Sequence, residues 1–215
     1  MFNVSNHRDM AKNFVSNSRE SSRMFKSNFL ESLSKVHFST PLFIFVPVIG
    51  YFAWKAIFPG EMSLILFGAY FLSGIFIWTF TEYVLHRFVF HFTPKGKWME
   101  RIHFIFHGVH HDYPNDANRL VMPPSASIPL AAGFYFLFTL FLQEFAVAAF
   151  FSGFMSGYLF YDMTHYALHH ANFKSNFWKK LKKHHMLHHY SDSENGYGVS
   201  SDFWDKIFGS NINKN

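Results

Sequence analysis

The 215-residue chain contains 15 histidines and no cysteine, which excludes thiolate zinc sites and iron–sulfur clusters. Its formal net charge of +5 requires no nucleic-acid partner, because anionic lipid head groups attract a basic surface equally well. At this length the chain is expected to form one domain, without room for a second catalytic module.

Residues 1–40 are mostly polar and basic, so no signal peptide is predicted ahead of the first apolar run. Within this cytosolic segment some apolar side chains recur at helical spacing, namely Phe25, Phe29, Leu30 and Leu33. Two interpretations stay open for them: a helix that lies on the membrane surface, or a disordered tail.

Four apolar runs follow, over residues 41–58, 62–85, 126–142 and 145–161. The first two are long enough to span a bilayer, which takes about 20 apolar residues, and the last two are at the short limit. We therefore predict an all-α integral membrane protein whose four transmembrane helices form two hairpins.

Basic residues are placed asymmetrically around these runs. Six of the 19 Lys and Arg residues lie in 1–40, five in 86–125 and seven in 162–215, and Lys55 is the remaining one. By the positive-inside rule, all three segments are cytosolic. Residues 41–215 are thus expected to form one membrane-embedded domain, whose cytosolic part comes from 86–125 and 162–215.

Ten histidines in four clusters lie in those two cytosolic segments. They are His86 and His91 in HRFVFH, His107, His110 and His111 in HGVHH, His165 and His169 in HYALH, and His185, His188 and His189 in HMLHH. Residues three and four apart share a helical face, so each of the last three clusters is expected to converge. His86 and His91 are five apart, and they can meet at one metal ion only if the helix loosens there; otherwise each serves a different ion.

Neutral imidazole is the commonest metal ligand in proteins. Ten are too many for one ion and would give two ions five ligands each, with a position open for dioxygen or water. Activation of dioxygen requires a redox metal, so we predict iron, and zinc found in this site would be a substitute. Glu82 and Asp162 are placed so that they can orient the second ring nitrogen of His86 and His165, respectively. The alternative for Glu82 is a carboxylate at the membrane boundary that faces head groups, and for Asp162 the two outcomes, contact with His165 or none, stay open.

The chain resembles the fatty acid hydroxylase superfamily of membrane di-iron oxygenases, in particular its fatty acid 2-hydroxylase branch. The resemblance covers roughly residues 70–210 and is carried by EYVLHRFVFH, FHGVHHDYPND, RLVMPP, YDMTHYALHH, KKLKKHHMLHHY and GYGVSSDFWDKIFG. It implies that the same ten histidines are the metal ligands. It also implies hydroxylation of carbon 2 of a fatty acyl chain, usually one carried by ceramide or another sphingolipid.

Many members of that superfamily carry a cytochrome b5 domain, and the residues before the first apolar run are too few for one. Electrons are therefore expected from a separate protein such as cytochrome b5 or a ferredoxin with its reductase. The expected location is the endoplasmic reticulum membrane of a eukaryote or the inner membrane of a bacterium.

Other residues receive weaker assignments. His103, His170 and His184 adjoin the clusters but fall outside the ligand pattern that the resemblance implies, and His7 and His37 are interpreted as incidental. Arg119 is expected to face lipid phosphates or a substrate head group. A short helix carrying Phe203, Trp204, Ile207 and Phe208, capped by Ser201 or Asp202, is predicted to pack over the metal domain.

Two alternatives to the 2-hydroxylase stay open. A sterol or carotenoid oxidase or desaturase of the same superfamily would carry a similar set of histidines. A zinc-binding membrane scaffold or metal carrier would use the histidines without redox chemistry. A carrier should place ionisable residues inside its spans, however, and these histidines lie outside the predicted spans. The sequence assigns neither catalytic residues beyond the metal centre nor substrate-binding residues.

Overall fold

The computed structural model describes residues 15–16, 18 and 20–212, which contain helices and loops and no strand. His7 and three of the six basic residues of the N-terminal segment, Arg8, Lys12 and Arg19, lie outside this range. The helices, in chain order, are α1 (Asn28–Leu33), α2 (Thr40–Ile57), α3 (Leu64–Val84), α4 (Lys97–His103), α5 (Val109–Asp112), α6 (Pro124–Thr139), α7 (Glu144–His170), α8 (Asn176–Tyr190) and α9 (Phe203–Phe208).

Two π-helical segments interrupt this order. The first, Leu85–Phe90, continues α3 without a break, and the second, Phe104–Gly108, joins α4 to α5. A π-helix closes each turn with hydrogen bonds five residues apart and is found mostly at functional sites. Both segments fall on predicted histidine clusters.

Apolar composition explains the long helices. Among the described residues, two continuous helical stretches are long and apolar enough to cross a membrane, Thr40–Ile57 and Leu64–Phe90. The predicted run 126–142 corresponds to α6, and the run 145–161 forms only the first part of α7. Helical hydrogen bonding continues to His170, well beyond the end of the apolar run.

The core lies around α7, whose inner face packs against α2, α3 and α6. Its buried aromatic residues include Phe45 of α2 and Trp78 of α3. Close packing of α3 on α7 depends on small residues: a Cβ atom on Gly153 would lie 1.9 Å from the Phe71 carbonyl oxygen, and one on Gly74 would lie 2.1 Å from that of Phe150. Glycines therefore let these two backbones approach to contact.

The described part of the N-terminal segment packs on the loop before α6. Arg119 is buried and forms ion pairs with Glu31 at 2.7 Å and Asp116 at 3.3 Å. Its guanidinium also donates to the Ser22 carbonyl at 2.7 Å. The expectation that Arg119 faces lipid phosphates or a substrate head group is wrong, because its charge is satisfied inside the protein.

Candidate metal centre

The first π-helical segment brings the side chains of His86 and His91 to the same side of the helix. The His91 amide donates to the His86 carbonyl at 3.1 Å, which is the five-residue hydrogen bond of a π-turn. Their ring centroids lie 5.0 Å apart. The helix loosens here, and this resolves the question that their spacing left open.

The cluster HGVHH is divided between two neighbouring groups of rings. The Nε2 atoms of His107 and His111 lie 3.0 Å apart, whereas His110 turns toward His165, with 2.9 Å between their Nε2 atoms. Likewise, His188 of the cluster HMLHH approaches His91, at 3.0 Å between Nε2 atoms. The prediction that each triplet converges on one point is therefore wrong: residues four apart stay together, and the residue between them faces the other group.

All ten predicted histidines belong to these two groups of five. Within each group the nearest ring nitrogens lie within 4.8 Å of one another. We name them group one (His86, His91, His107, His111 and His188) and group two (His110, His165, His169, His185 and His189). The rings of His111 and His189 stack with centroids 4.2 Å apart, so the groups adjoin.

The ring nitrogens in these groups face one another without the hydrogen-bond partners that burial normally demands. His107 Nε2 lies 3.2 Å from His86 Nε2 and 2.9 Å from His91 Nε2. Within the part of the chain that the structure describes, both ring nitrogens of His189 are buried and without a hydrogen-bond partner. Buried polar atoms are almost always satisfied, so this arrangement of nitrogen atoms fits ligands of a cation.

Two backbone carbonyls determine which ring nitrogen carries the proton in two histidines of group one. His86 Nδ1 donates to the Tyr197 carbonyl at 2.5 Å, and His188 Nδ1 donates to the Asn195 carbonyl at 2.7 Å. A carbonyl oxygen can only accept, so in each ring the proton sits on Nδ1. The Nε2 lone pairs of His86 and His188 are thereby left free and directed into the group.

Burial also favours the neutral form of rings in both groups. It lowers the pKa of His107, His110 and His111 well below the ordinary value, with neighbouring imidazoles adding to the effect. Burial likewise lowers the pKa of His188, to about 4, although its carbonyl partner opposes the change. Neutral imidazole is the form that binds a metal ion.

The loop over residues 195–200 is held by two buried carboxylates. Glu82 accepts from the amides of Val199 and Ser200, each at 2.8 Å, and from the Ser200 hydroxyl at 2.6 Å. Asp205 accepts from the amides of Tyr197 at 2.9 Å and Gly198 at 2.8 Å. These carboxylates position the carbonyls that face His86 and His188.

The predicted direct contacts of two acidic residues with histidines are therefore wrong. Glu82 contacts the loop and not the His86 ring, because the Tyr197 carbonyl already occupies His86 Nδ1. Asp162 accepts from the Met122 amide at 3.3 Å and from the Tyr158 hydroxyl at 3.2 Å instead of orienting His165. The carbonyls at positions 195 and 197 had no side-chain signature by which the sequence could have revealed them.

The remaining described histidines lie outside both groups. His184 Nε2 approaches Asp205 Oδ2 at 3.2 Å, so this ring supports the loop from the far side. His103 packs against Phe92, and His170 packs against Tyr166. The exposed His37 lies beside Ser39, with 2.8 Å between its Nδ1 and the hydroxyl.

The residues present fit a pair of transition-metal ions. Five imidazoles per group exceed the four ligands of a closed structural zinc site, and the described residues contribute no thiolate. Imidazole suits iron, copper, nickel and zinc alike. The geometry therefore supports a site for two metal ions, but it does not distinguish among iron, copper, nickel and zinc.

Fold and site together define a class: within the described residues, a helical protein with two helices long and apolar enough to cross a membrane, and with two adjoining histidine groups suited to a pair of metal ions. A model of the family described as fatty acid hydroxylase matches residues 71–210. The chain belongs to the fatty acid hydroxylase family, and the resemblance read from its motifs is confirmed.

Relatives and a solved structure agree with this assignment. The chain is 40% identical over 192 residues to a dihydroceramide fatty acyl 2-hydroxylase of Arabidopsis thaliana, covering 89% of this chain and 80% of that one. It is 36% identical over 207 residues to the fatty acid 2-hydroxylase of Rattus norvegicus, covering 86% of this chain but only 55% of the relative. A structure described as full-length scs7p, with only the hydroxylase domain visible, matches with a TM-score of 0.83 at 33% identity, covering 98% of this chain and 90% of that one.

Proposed function

We propose that this chain is a membrane di-iron oxygenase that hydroxylates carbon 2 of fatty acyl chains, those of ceramide or related sphingolipids in particular. The relatives in Arabidopsis and rat are both named 2-hydroxylases of fatty acids or fatty acyl groups, which supports the reaction and the acyl substrate. The first of these names also contains dihydroceramide, which supports a sphingolipid carrier.

The convergence of ten imidazoles into two adjoining groups is the observation that carries the proposal. A set of neutral lone pairs within 4.8 Å of one another is unfavourable unless cations lie between them. Each group would hold one ion, with all ten histidines as ligands. Three members of the set are only half-buried (His91, His111 and His169), so the site has an accessible side.

The chain's own residues prepare this site for oxygen chemistry. The Asn195 and Tyr197 carbonyls hold protons on His188 and His86, so the Nε2 atoms of these rings stay available as ligands. Bound iron would supply the redox steps of dioxygen activation, which zinc cannot provide. Hydroxylation places one oxygen atom in a C–H bond and reduces the other to water, so it consumes two electrons and two protons.

The site is proposed to lie on the cytosolic side of a four-helix membrane domain. The positive-inside rule supports this orientation, because the basic residues concentrate in the segments that carry the histidines. In this arrangement α2, α3, α6 and the first part of α7 would cross the bilayer as two hairpins. The substrate would meet the metal ions near the lipid head groups.

Electrons are proposed to come from a separate protein. Neither a saturated acyl chain nor dioxygen supplies the two electrons that the reaction consumes. A cytochrome b5, or a ferredoxin with its reductase, would serve. Purified chain supplied with lipid and dioxygen should therefore turn over only when such a reductant system is added.

Expression in a sphingolipid-making host that lacks its own hydroxylase tests the reaction. Mass spectrometry should detect ceramides that have gained one oxygen at carbon 2, and the His188→Ala variant should abolish this product. His37→Ala is the matched control, because this exposed ring lies outside both groups. Oxygen gained by sterols or carotenoids instead, or an unchanged product from His188→Ala, would contradict the proposal.

The metal content of purified protein tests the site separately. Elemental analysis should find two ions per chain, and one substitution in each group, His107→Ala or His165→Ala, should lower the content toward one ion. His103→Ala should leave it unchanged. Hydroxylation restored by zinc alone would rule out the redox role of the site.

A further inference from the structure

The C-terminal helix α9 carries an apolar ridge that no other described part of the chain covers. Phe203 and Ile207 are four residues apart and so share one face, and their exposed fractions are 48% and 54%. Phe208 at the end of the helix is 48% exposed but stacks on Tyr83, with ring centroids 5.3 Å apart, so it lies beside the ridge and not on it.

The other faces of α9 are firmly attached to α3. The Trp204 ring packs against Phe76 and Phe80, with centroids 5.6 and 5.0 Å away, and its Nε1–H donates to the Thr79 hydroxyl at 3.0 Å. Asp205 on the inner face is fully buried. The orientation of the ridge is therefore set by contacts on two sides, and it points away from the protein.

The depth of this contact along α3 indicates what covers the ridge. Thr79 lies 11 residues before Phe90, the last residue of the candidate membrane span that α3 begins, so α9 is attached to α3 inside that span. The same stretch of α3 exposes apolar side chains of its own, at Phe76 and Ile77. The ridge is therefore held beside the apolar surface of a candidate span, where interfacial helices bury their apolar faces by about 5–10 Å.

We propose that the ridge of α9 is embedded in the acyl region of the membrane, so that the chain returns to the bilayer after its last spanning helix. Polar residues flank the ridge: Lys206 pairs with Asp202 at 2.8 Å, and Lys180 approaches Asp202 at 3.9 Å, a pattern that suits the head-group layer. The proposal rests on the membrane topology proposed above and not on the hydroxylation reaction.

The absence of cysteine from the chain makes a direct test possible. Single-cysteine variants Ile207→Cys and Lys206→Cys would carry an environment-sensitive fluorophore, and the full-length protein would be reconstituted in phosphatidylcholine vesicles. Some of the lipids would bear a doxyl nitroxide high on the acyl chain, and iodide would serve as the aqueous quencher. Phe203→Cys provides a second ridge position should the first variant fold poorly.

The two neighbouring positions should respond in opposite ways. The ridge label should emit at shorter wavelength and be quenched by the doxyl lipid at least about twofold more than the label at 206, and iodide should quench mainly the latter. Equal iodide quenching at both positions would overturn the proposal by placing the ridge in water. Protection of the ridge from both quenchers would overturn it in favour of a second copy or another protein.

Discussion

Glu82 and Ser200 lie 118 residues apart in the sequence, and the Ser200 hydroxyl donates to the Glu82 carboxylate at 2.6 Å. This contact ties the end of α3 to the loop whose carbonyls face His86 and His188. A carboxylate placed one helical turn before a histidine thus acts on it through a distant loop. Outer contacts of this kind orient metal ligands and change metal affinity markedly when removed.

The variant Glu82→Gln is expected to weaken metal binding without removing a ligand. Its amide group would present N–H donors to the N–H and O–H donors of Val199 and Ser200, so the loop should loosen. Metal affinity should fall by about 10- to 100-fold, measured by competition with a chelator. Glu100→Gln, which removes an exposed carboxylate on α4, should keep the affinity of the unmodified protein. Equal affinities for the two variants would show that Glu82 has no positioning role.

Two aspartates on either side of the start of α9 should differ sharply in their importance. Asp205 is fully buried and accepts from the Tyr197 and Gly198 amides, so Asp205→Asn should cost about 1.5–3 kcal/mol of stability. Asp202 pairs with surface lysines, and Asp202→Asn should cost less than about 1 kcal/mol. Thermal unfolding in detergent would compare them, and the reverse order would contradict the assigned contacts.

Glycine at position 153 should be irreplaceable for packing, whereas glycine at position 133 should not. A methyl group on Gly153 would collide with the Phe71 carbonyl, so Gly153→Ala should separate α3 from α7 and destabilise the protein. A methyl group on Gly133 would meet no atom within 4 Å beyond its own stretch of helix, so Gly133→Ala should be neutral or stabilise α6 by up to about 1 kcal/mol. Thermal unfolding of both variants is the measurement, and a stable Gly153→Ala protein would refute the close approach.

The attachment of the N-terminal segment should depend on pH through Glu31. Burial raises the pKa of this carboxyl, but the Phe25 and Met24 amides, Lys35 and Arg119 outweigh it and lower the pKa from 4.5 to about 2. When the pKa of a carboxyl is lower in the folded than in the unfolded protein, ionisation of that carboxyl stabilises the fold fully at a pH above the unfolded-state pKa. This stabilisation is lost as the pH falls toward the folded-state pKa. At pH 7 the unmodified protein should therefore unfold at a higher temperature than the Glu31→Gln variant, and this stability advantage should have its full size.

That advantage should shrink as the pH falls from about 4.5 toward 2, where the carboxylate becomes protonated. Limited proteolysis of the N-terminal segment would report the same change locally. An advantage that grew on acidification would contradict the sign of the shift. The comparison is independent of the metal site, since Glu31 belongs to neither histidine group.

Local sequence was sufficient for the features that depend on neighbouring residues. Apolar runs predicted the long helices, and the spacing of Phe203, Trp204, Ile207 and Phe208 predicted α9, although without the expected side-chain cap. The helix around Phe29 is present as α1, with its apolar residues exposed, while its contact with a membrane surface stays a prediction. The histidines could be recognised as candidate metal ligands from the sequence, because packing alone rarely accounts for ten histidines in four clusters.

Only the tertiary structure shows how those histidines are divided between the two groups. Helical spacing specifies the direction of a side chain only relative to its own helix, so it could not show that His110 belongs to a different group from His107 and His111. Whether His86 and His91 meet depended on a π-turn whose cost is offset by contacts from α8 and the 195–200 loop. The same holds for Glu82, Asp162 and Arg119, which have partners 118, 40 and 88 residues away, respectively. Asp162 and Arg119 also contact residues three or four positions away, but only the folded chain brings the distant partners to these buried groups.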